Sequence, residues 1–188
     1  MALLSEGKRK KFFKQLGFNE YNHETITKFQ KMYFTRESDI DGVYGKDTDT
    51  LLRHVINVKD CTINFKPEEF KCPCGKCNGY PVRMRAITLR LIQAIRNIYN
   101  KPLHVTSGIR CKIENANCGG VKNSKHLSGQ AVDYYIKGIT DSVTGRKKHI
   151  NRIKNLKNHG YSYGNGYDSE GFTRISRSMG NAIHTETK

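Results

Sequence analysis

The sequence predicts an α+β protein, in which a helical N-terminal part precedes a part that combines helices with a small sheet. Residues 1–58 hold helical patterns. Residues 82–99 carry apolar side chains at three- and four-residue spacing, which is typical of a helix with one buried face. Three short runs that favour β structure follow, at residues 103–106, 131–136 and 181–186. These patterns place one sheet and its packing helices in the second part of the chain.

Three helices are predicted in the N-terminal part. The first covers residues 10–16. Asn22 is suited to cap a second helix at residues 24–34, because its side-chain oxygen can accept a hydrogen bond from the first turn. A third helix covers residues 46–56. The predicted divisions of the chain are a helical domain at residues 1–58, a linker at 59–66 and a second domain at 67–188.

The turn before the third helix has the sequence DGVYG, at residues 41–45. A phenylalanine-glutamine pair precedes it and a threonine-bearing helix follows. This order resembles the peptidoglycan-binding domain of wall hydrolases. The resemblance implies binding to wall glycan, whereas the alternative is a turn that only closes a three-helix bundle. The matching residues are Ile26, Phe29, Gln30, Asp41, Gly42, Tyr44, Gly45, Thr48 and Leu51.

Cysteines are concentrated where the second domain begins. Cys72, Cys74 and Cys77 lie within six residues, close enough to bind one tetrahedral metal ion, and Cys111 is a candidate fourth ligand. This pattern indicates a possible structural zinc site that ties the start of the domain to the Cys111 segment. The alternative is a set of free thiols in a loop. Disulfides are not expected without a secretion signal.

Two potential ligands of a second metal site, His126 and Asp133, lie seven residues apart. A helix would separate them by about 10 Å along its axis, and a flat strand would put them on opposite faces. Convergence on one ion therefore needs a bend, which Ser128 and Gly129 are suited to make. His184, in the last predicted strand, supplies a third ligand. Two histidines and an aspartate with the fourth position left to water are typical of a hydrolytic zinc site.

The surrounding residues give this site a family resemblance, which covers roughly residue 65 to the C-terminus. The segments SGIR (107–110), SKH (124–126) and GQAVD (129–133), with Asn115 and the glycine pair 119–120 between them, resemble the zinc D-Ala-D-Ala metallopeptidases. That family includes phage and bacterial peptidoglycan peptidases and shares its fold with hedgehog signalling domains. The resemblance implies an antiparallel sheet with flanking helices, and zinc on His126, Asp133 and His184. It also implies that Arg110 contacts a carboxylate or carbonyl of the substrate.

The general base departs from the family pattern. Many members carry an acid three residues before the second zinc histidine, where this chain has Asn181. Glu186 shares a strand face with His184 and is our candidate for the catalytic base. Asp168 and Glu170 are held in reserve. Ser107, Ser124 and Tyr163, the last in a tyrosine-rich loop, are candidate substrate-binding residues.

Charge and composition indicate the partners. The net charge of +16 and the pI near 9.7 attract polyanions. We expect peptidoglycan and anionic wall polymers rather than a specific nucleic acid, because no known nucleic-acid motif accompanies the scattered basic residues. No apolar run is long enough for a transmembrane helix. The N-terminus lacks the pattern of a signal peptide, so we expect a monomer made in the host cytoplasm that acts on the wall after release.

The sequence therefore predicts a bacteriophage endolysin-like zinc metallopeptidase that cuts a stem-peptide bond during lysis. Endopeptidase and D,D- or L,D-carboxypeptidase activities both occur among similar proteins. One alternative is a catalytically weak, zinc-bearing wall-binding or hedgehog-type interaction module, which the absent acid at Asn181 favours. Another is a basic nucleic-acid-binding protein with a cysteine-rich zinc knuckle. Two further histidines, His149 and His159, are predicted to lie at the surface.

Overall fold

The computed structural model of the chain describes residues 2–153, 156, 173–174 and 181–187. This part of the chain mixes helices with an antiparallel sheet, which confirms the α+β class. It contains no helix long and apolar enough to cross a membrane. The helices are α1 (Glu6–Gln15), α2 (His23–Tyr33), α3 (Lys46–Cys61), α4 (Ala86–Tyr99), α5 (Lys112–Asn117) and α6 (Val143–Ile153), and the strands are β1 (His104–Ser107), β2 (Ala131–Tyr135), β3 (Thr173–Arg174) and β4 (Ile183–Glu186).

The sheet runs in the order β1-β2-β4-β3, and each neighbouring pair is antiparallel. Its central strand β2 is almost fully buried. The last strand, β4, pairs with β2 although about fifty residues separate them in sequence. The C-terminal residues are therefore fixed at the centre of the sheet, next to β2.

The three predicted N-terminal helices are present, but the predicted start of α1 at residue 10 is wrong, because α1 begins at Glu6. Asn22 caps α2, because its side-chain oxygen accepts a hydrogen bond of 2.9 Å from the backbone N–H of Thr25. Gln30, which comes before the DGVYG segment, explains the conformation of that turn. Gln30 is buried, and its carbonyl oxygen accepts from the backbone N–H groups of Asp41 (3.1 Å) and Gly42 (2.8 Å). Its amide donates to Thr48 Oγ1 at 2.9 Å. The pattern thus has a structural role in joining α2 to α3.

Helix α3 packs against the second part of the chain. It extends to Cys61, past the residue 56 at which the sequence pattern ends it. The ring of His54, on α3, is fully buried and lies 5.1 Å from the Tyr80 ring. Its Nε2 lies 3.0 Å from the Pro67 carbonyl, and its Nδ1 accepts the Met84 N–H at 3.2 Å. The hydrophobic core is continuous from the N-terminal helices to the sheet.

Helix α4 begins at Ala86, so the predicted helix start at residue 82 is wrong. The backbone just before the helix is used elsewhere: Arg85 N–H donates to the carbonyl of Gly129 at 2.9 Å. Residues 82–85 therefore do not form a helical turn, and Arg85 instead binds the backbone of the bend at Gly129, just before β2. The buried face of α4 includes Leu91 and Ile95.

Candidate metal centre

Three neighbouring strands place polar residues in a row across the sheet. Asp133 on β2 is paired with His184 on β4, and Ser107 on β1 is paired with Asp133 from the other side. The fourth residue, His126, comes from a 3-10 turn, Lys125–Ser128, that ends in Gly129. Gly129 has φ +66°, and a Cβ there would collide with the carbonyl oxygen of Arg83. The bend predicted between His126 and Asp133 is confirmed, and only glycine fits it.

The donor atoms of His126, Asp133 and His184 converge. One ligand atom from each residue lies within 4.8 Å of the other two. Asp133 Oδ1 is 3.3 Å from His126 Nε2 and 2.8 Å from His184 Nδ1. All three residues are buried. The sequence-predicted ligands are therefore brought to one point, and their carboxylate and imidazole groups are a donor set that zinc takes in proteins.

The ring of His126 has one nitrogen with a partner and one without. Nδ1 lies 2.6 Å from the carbonyl oxygen of Gly108, which can only accept, so Nδ1 carries the proton. Nε2 is then the atom with the lone pair. It is buried and makes no hydrogen bond, despite its distance of 3.3 Å from Asp133 Oδ1. A buried lone pair without a donor costs free energy unless a metal ion takes it, so the site fits a bound cation.

His184 lies between two carboxylates. Its Nε2 is 3.0 Å from Glu186 Oε2, and its Nδ1 faces Asp133 Oδ1. Burial disfavours the charged imidazolium, but hydrogen bonds to Asp133 and Glu186 outweigh it and raise the pKa of His184. Burial likewise opposes ionisation of Asp133, but the two histidine rings that face its carboxylate hold the pKa of Asp133 well below the usual range. The Nδ1 lone pair is directed to the same point as His126 Nε2 when Nε2–H donates to Glu186.

Arg110 lies against the centre and fixes the aspartate. Its Nη2 donates to Asp133 Oδ2 at 2.5 Å, and its Nε donates to Ser107 Oγ at 2.8 Å. The Arg110 pair uses Oδ2 and leaves Oδ1 facing the two histidines. The backbone N–H of Arg110 also donates to the carbonyl of His126 at 3.3 Å. Arg110 therefore connects the β1 segment to two of the three ligand residues.

The centre opens into a cleft of about 450 Å³. Ser107, Arg110 and Ser124 line it, together with the three ligand residues. Sequence reasoning missed an ionisable residue of the cleft, Glu114 on α5, which carries no metal-ligand or catalytic pattern of its own. Cys118 Sγ donates to Glu114 Oε1 at 3.3 Å.

Among the described residues, Glu186 and Asn181 do not line the cleft. Glu186 is buried behind His184, with its side chain 4% exposed. Asn181 is exposed, in the turn before β4. Tyr163, Asp168, Glu170 and His159 fall outside the described residues.

His149 corrects a prediction. The sequence places it at the surface, but it is 1% exposed on α6. Its Nε2 lies 2.9 Å from the hydroxyl of Tyr134, and its Nδ1 lies 2.8 Å from that of Tyr99. Its role is therefore to join α6, α4 and β2 in the core behind the centre.

A buried centre of two histidines and one aspartate, at the base of an open cleft, defines a metal-dependent hydrolase class. The model of one such family, peptidase M15, matches residues 63–169, which is more than half of the chain. The chain belongs to the peptidase M15 family. The residue pattern that resembles this family and the convergence of its ligand atoms therefore agree.

A curated relative points to the same metal. The chain is 31% identical over 124 residues to a zinc D-Ala-D-Ala carboxypeptidase of Streptomyces albus G. The similar region covers 62% of this chain and 47% of that protein, so the chain spans about half the length of the relative it matches. The family and the relative imply Zn²⁺ as the cofactor, and the orphaned lone pair of His126 suits it.

Proposed function

We propose that the chain is a zinc-dependent peptidoglycan peptidase that hydrolyses a peptide bond in the stem peptide of the bacterial wall. The observation that carries the proposal is the convergence of His126, Asp133 and His184 beside Arg110, in an open cleft of about 450 Å³. Membership of the M15 family supports peptide hydrolysis. The Streptomyces relative, a zinc D-Ala-D-Ala carboxypeptidase, supports a wall peptide as the substrate.

Each ligand is held by a second group that this chain supplies. The Gly108 carbonyl orients His126, Arg110 orients Asp133, and Glu186 orients His184. Zinc bound there supplies Lewis-acid activation of water and of the scissile carbonyl. Orientation by outer groups keeps both imidazole lone pairs and Asp133 Oδ1 aimed at one point without rearrangement.

Arg110 has a further role in the proposal, which is to bind the substrate. Its Nε and Nη2 are occupied by Ser107 and Asp133, while Nη1 makes no hydrogen bond to the described residues. Because Arg110 lines the cleft, its Nη1 can donate a hydrogen bond to a carboxylate or carbonyl of the stem peptide. Ser124, on the same cleft, offers a hydroxyl to the peptide backbone.

The proton of the attacking water needs an acceptor in the cleft. Glu186 is the candidate from the sequence, but its carboxylate is occupied by His184 Nε2 and lies off the cleft lining. Its position favours an orienting role. Glu114 lines the cleft, carries a carboxylate that is only half-buried, and is our candidate base among the described residues. If Glu114 is the base, its substitution by glutamine should lower the rate and that of Glu186 should not. If Glu186 is the base, the reverse is expected.

The N-terminal helices and the net charge supply the wall affinity in this proposal. Several of the residues that resemble a peptidoglycan-binding domain, Gln30, Asp41 and Gly42 among them, meet in the turn before α3. The charge of +16 attracts acidic wall polymers. The proposed setting is that of an endolysin, made in the host cytoplasm of a bacteriophage infection and active on the wall after release.

The test is hydrolysis of purified sacculi, followed as loss of turbidity, with mass spectrometry of the released muropeptides to identify the bond. We expect hydrolysis that a chelator abolishes and zinc restores. His126→Ala should be inactive, while His104→Ala, which removes an exposed histidine stacked on Tyr135, should match the native chain. Intact muropeptides after incubation with zinc-loaded protein would overturn the proposal.

A non-catalytic alternative is favoured by one observation, the exposed Asn181 at the position where relatives carry an acid. In that case the zinc-loaded chain would sediment with sacculi and release no peptide. The same assay therefore separates a peptidase from a wall-binding or hedgehog-type module.

A further inference from the structure

We propose that Cys72, Cys74, Cys77 and Cys111 bind a second zinc ion as a tetrathiolate site, which holds one wall of the cleft in place. The proposal does not depend on catalysis at the His126 centre. One sulfur from each residue lies within 4.8 Å of the other three. Cys72 is buried and the other three are half-buried. The remaining cysteines, Cys61 and Cys118, lie outside the cluster.

The sulfur spacing suits a metal and is longer than a disulfide bond. The Sγ atoms of Cys74 and Cys77 are 3.4 Å apart, and those of Cys74 and Cys111 are 3.5 Å apart. All six cysteines of the chain are free thiols. Zinc–sulfur bonds of about 2.3 Å in a tetrahedron separate the sulfurs by about 3.8 Å. The four side chains are therefore already near the arrangement that zinc requires.

A second, independent observation is that every sulfur in the cluster accepts a backbone N–H. Thiolates gain from such donors, because the donors offset the negative charge that metal binding keeps on the sulfur. Neutral thiols are weak acceptors and gain little from such hydrogen bonds. Four peptide N–H groups directed at the four sulfurs therefore favour a site that holds thiolates. The pairs are Cys111 N to Cys72 Sγ at 3.3 Å, Lys76 N to Cys74 Sγ at 3.3 Å, Gly79 N to Cys77 Sγ at 3.4 Å and Glu114 N to Cys111 Sγ at 3.4 Å.

The local turns explain how the sulfurs come together. Gly75 has φ +65°, a conformation that favours glycine and folds the backbone between Cys74 and Cys77. Cys111 is the N-cap of α5, so its sulfur faces the first turn of that helix. The Cys72 N–H donates to the Gly79 carbonyl at 2.8 Å, which closes the loop around the cluster. Three ligands therefore come from one loop, residues 72–79, which we call the knuckle. The fourth ligand, Cys111, comes from a distant segment.

The surrounding charge fits a tetrathiolate site, which carries a net charge of −2 with zinc bound. Basic residues adjoin the ligands in sequence at Lys71, Lys76, Arg110 and Lys112. Sulfur-only tetrahedral sites select zinc or iron, and zinc needs no redox chemistry to hold a fold. Zinc is therefore the metal that we assign.

The position of the site gives it a function. Cys111 directly follows Arg110, and Pro73, between two of the ligands, lines the cleft. The segment before Arg110 is also joined to the knuckle region, because the Ile109 N–H donates to the Phe70 carbonyl at 2.8 Å. A metal at the four sulfurs would hold the knuckle against the start of α5 and fix the backbone that carries Arg110.

The experiment measures metal per chain in purified full-length protein by elemental analysis. We expect two zinc ions in the native chain, one in Cys77→Ser and one in His126→Ala. Cys61→Ser, a half-buried cysteine outside the cluster, is the matched control and should keep two. One zinc in the native chain that Cys77→Ser leaves unchanged would overturn the proposal, as would iron in place of zinc.

A second measurement on the native chain covers the case in which Cys77→Ser does not fold. Titration with a mercurial, with a zinc-binding dye present, should first modify Cys118 and Cys61 without releasing metal. Modification of the four cluster thiols should then release one zinc per chain. Reaction of all six thiols with no zinc released would contradict the site. Because neither readout is hydrolysis, an inactive protein with two zinc ions would defeat only the peptidase proposal.

Discussion

Glu186 Oε2 lies 3.0 Å from His184 Nε2, and both side chains are buried on β4. A carboxylate in this position accepts a hydrogen bond from His184 Nε2–H. The lone pair of the imidazole is then on Nδ1, where it can bind a metal ion. Outer groups of this kind commonly change metal affinity by about 10–100-fold when they are removed. Glu186 thus acts through His184 in our proposal.

Substitution of Glu186 separates an orienting role from that of a general base. Glu186→Gln keeps an oxygen that accepts from His184 Nε2, so we expect retained zinc and a rate within about 10-fold of the native chain. Glu186→Ala removes the acceptor and should weaken zinc binding by about 10–100-fold. The measurements are zinc affinity by competition with a chelating dye, and the rate of muropeptide release. A fall of about 10²–10⁴-fold for zinc-loaded Glu186→Gln would instead make Glu186 the base.

Glu114 is tested by the complementary substitution. Glu114→Gln preserves shape but cannot accept a proton, so the rate of muropeptide release should fall by about 10²–10⁴-fold while zinc content stays the same. Glu37→Gln is the control, because Glu37 is an exposed acid on another segment. Glu114→Gln activity equal to that of the control would exclude Glu114 and return attention to Asp168 and Glu170.

The His126 and Asp133 part of the metal centre could be predicted because its chemistry is local in the sequence. The odd spacing of these two residues requires a bend, and Gly129 makes one. His184 lies far along the chain, and its assignment depended on its place in a predicted strand and on the family resemblance. The register of β2 with β4, which places His184 beside Asp133, is a packing contact that the spacing does not contain.

The rest depends on contacts between segments that are distant in sequence. His149 was predicted at the surface because nothing near it in sequence shows that Tyr99 and Tyr134 enclose it. Glu114 was missed because only the path of α5 brings it to the cleft. Helix α4 starts late because Arg85 bonds Gly129, a pairing that helix propensity does not contain.

Gln30 gives a stability prediction for the N-terminal helices. Gln30→Leu keeps the volume of the buried side chain but leaves the N–H groups of Asp41 and Gly42 without their acceptor. We expect the free energy of unfolding to fall by about 1–3 kcal/mol, the usual cost of one unsatisfied buried donor, because Gly42 is buried whereas water can reach the N–H of the exposed Asp41. Urea denaturation measures the change. Gln15→Leu removes a surface bond to Asp60 and should cost less than about 0.5 kcal/mol. Equal effects of the two substitutions would show that the Gln30 turn does not hold the helices together.

His54 makes the stability of the fold depend on pH. Burial lowers its pKa to about 4, and its Nδ1 accepts the Met84 N–H, which only the neutral ring can do. His54 therefore stays neutral in the folded chain at pH values between about 4 and 6.5, where it binds a proton in the unfolded chain. The stability from neutral His54 is complete above that pH and is lost as the pH falls towards 4. This linkage is worth about 2 kcal/mol between pH 7 and pH 5.

Urea denaturation of the native chain and of His54→Gln at the two pH values isolates this contribution. Glutamine offers one donor and one acceptor but does not titrate, so the variant should be less stable at pH 7 and lose about 2 kcal/mol less than the native chain on acidification. Both proteins contain the same His126 and His184, so proton competition at the metal centre cancels in the comparison. Equal losses of unfolding free energy in the two proteins would show that His54 does not remain neutral in the fold.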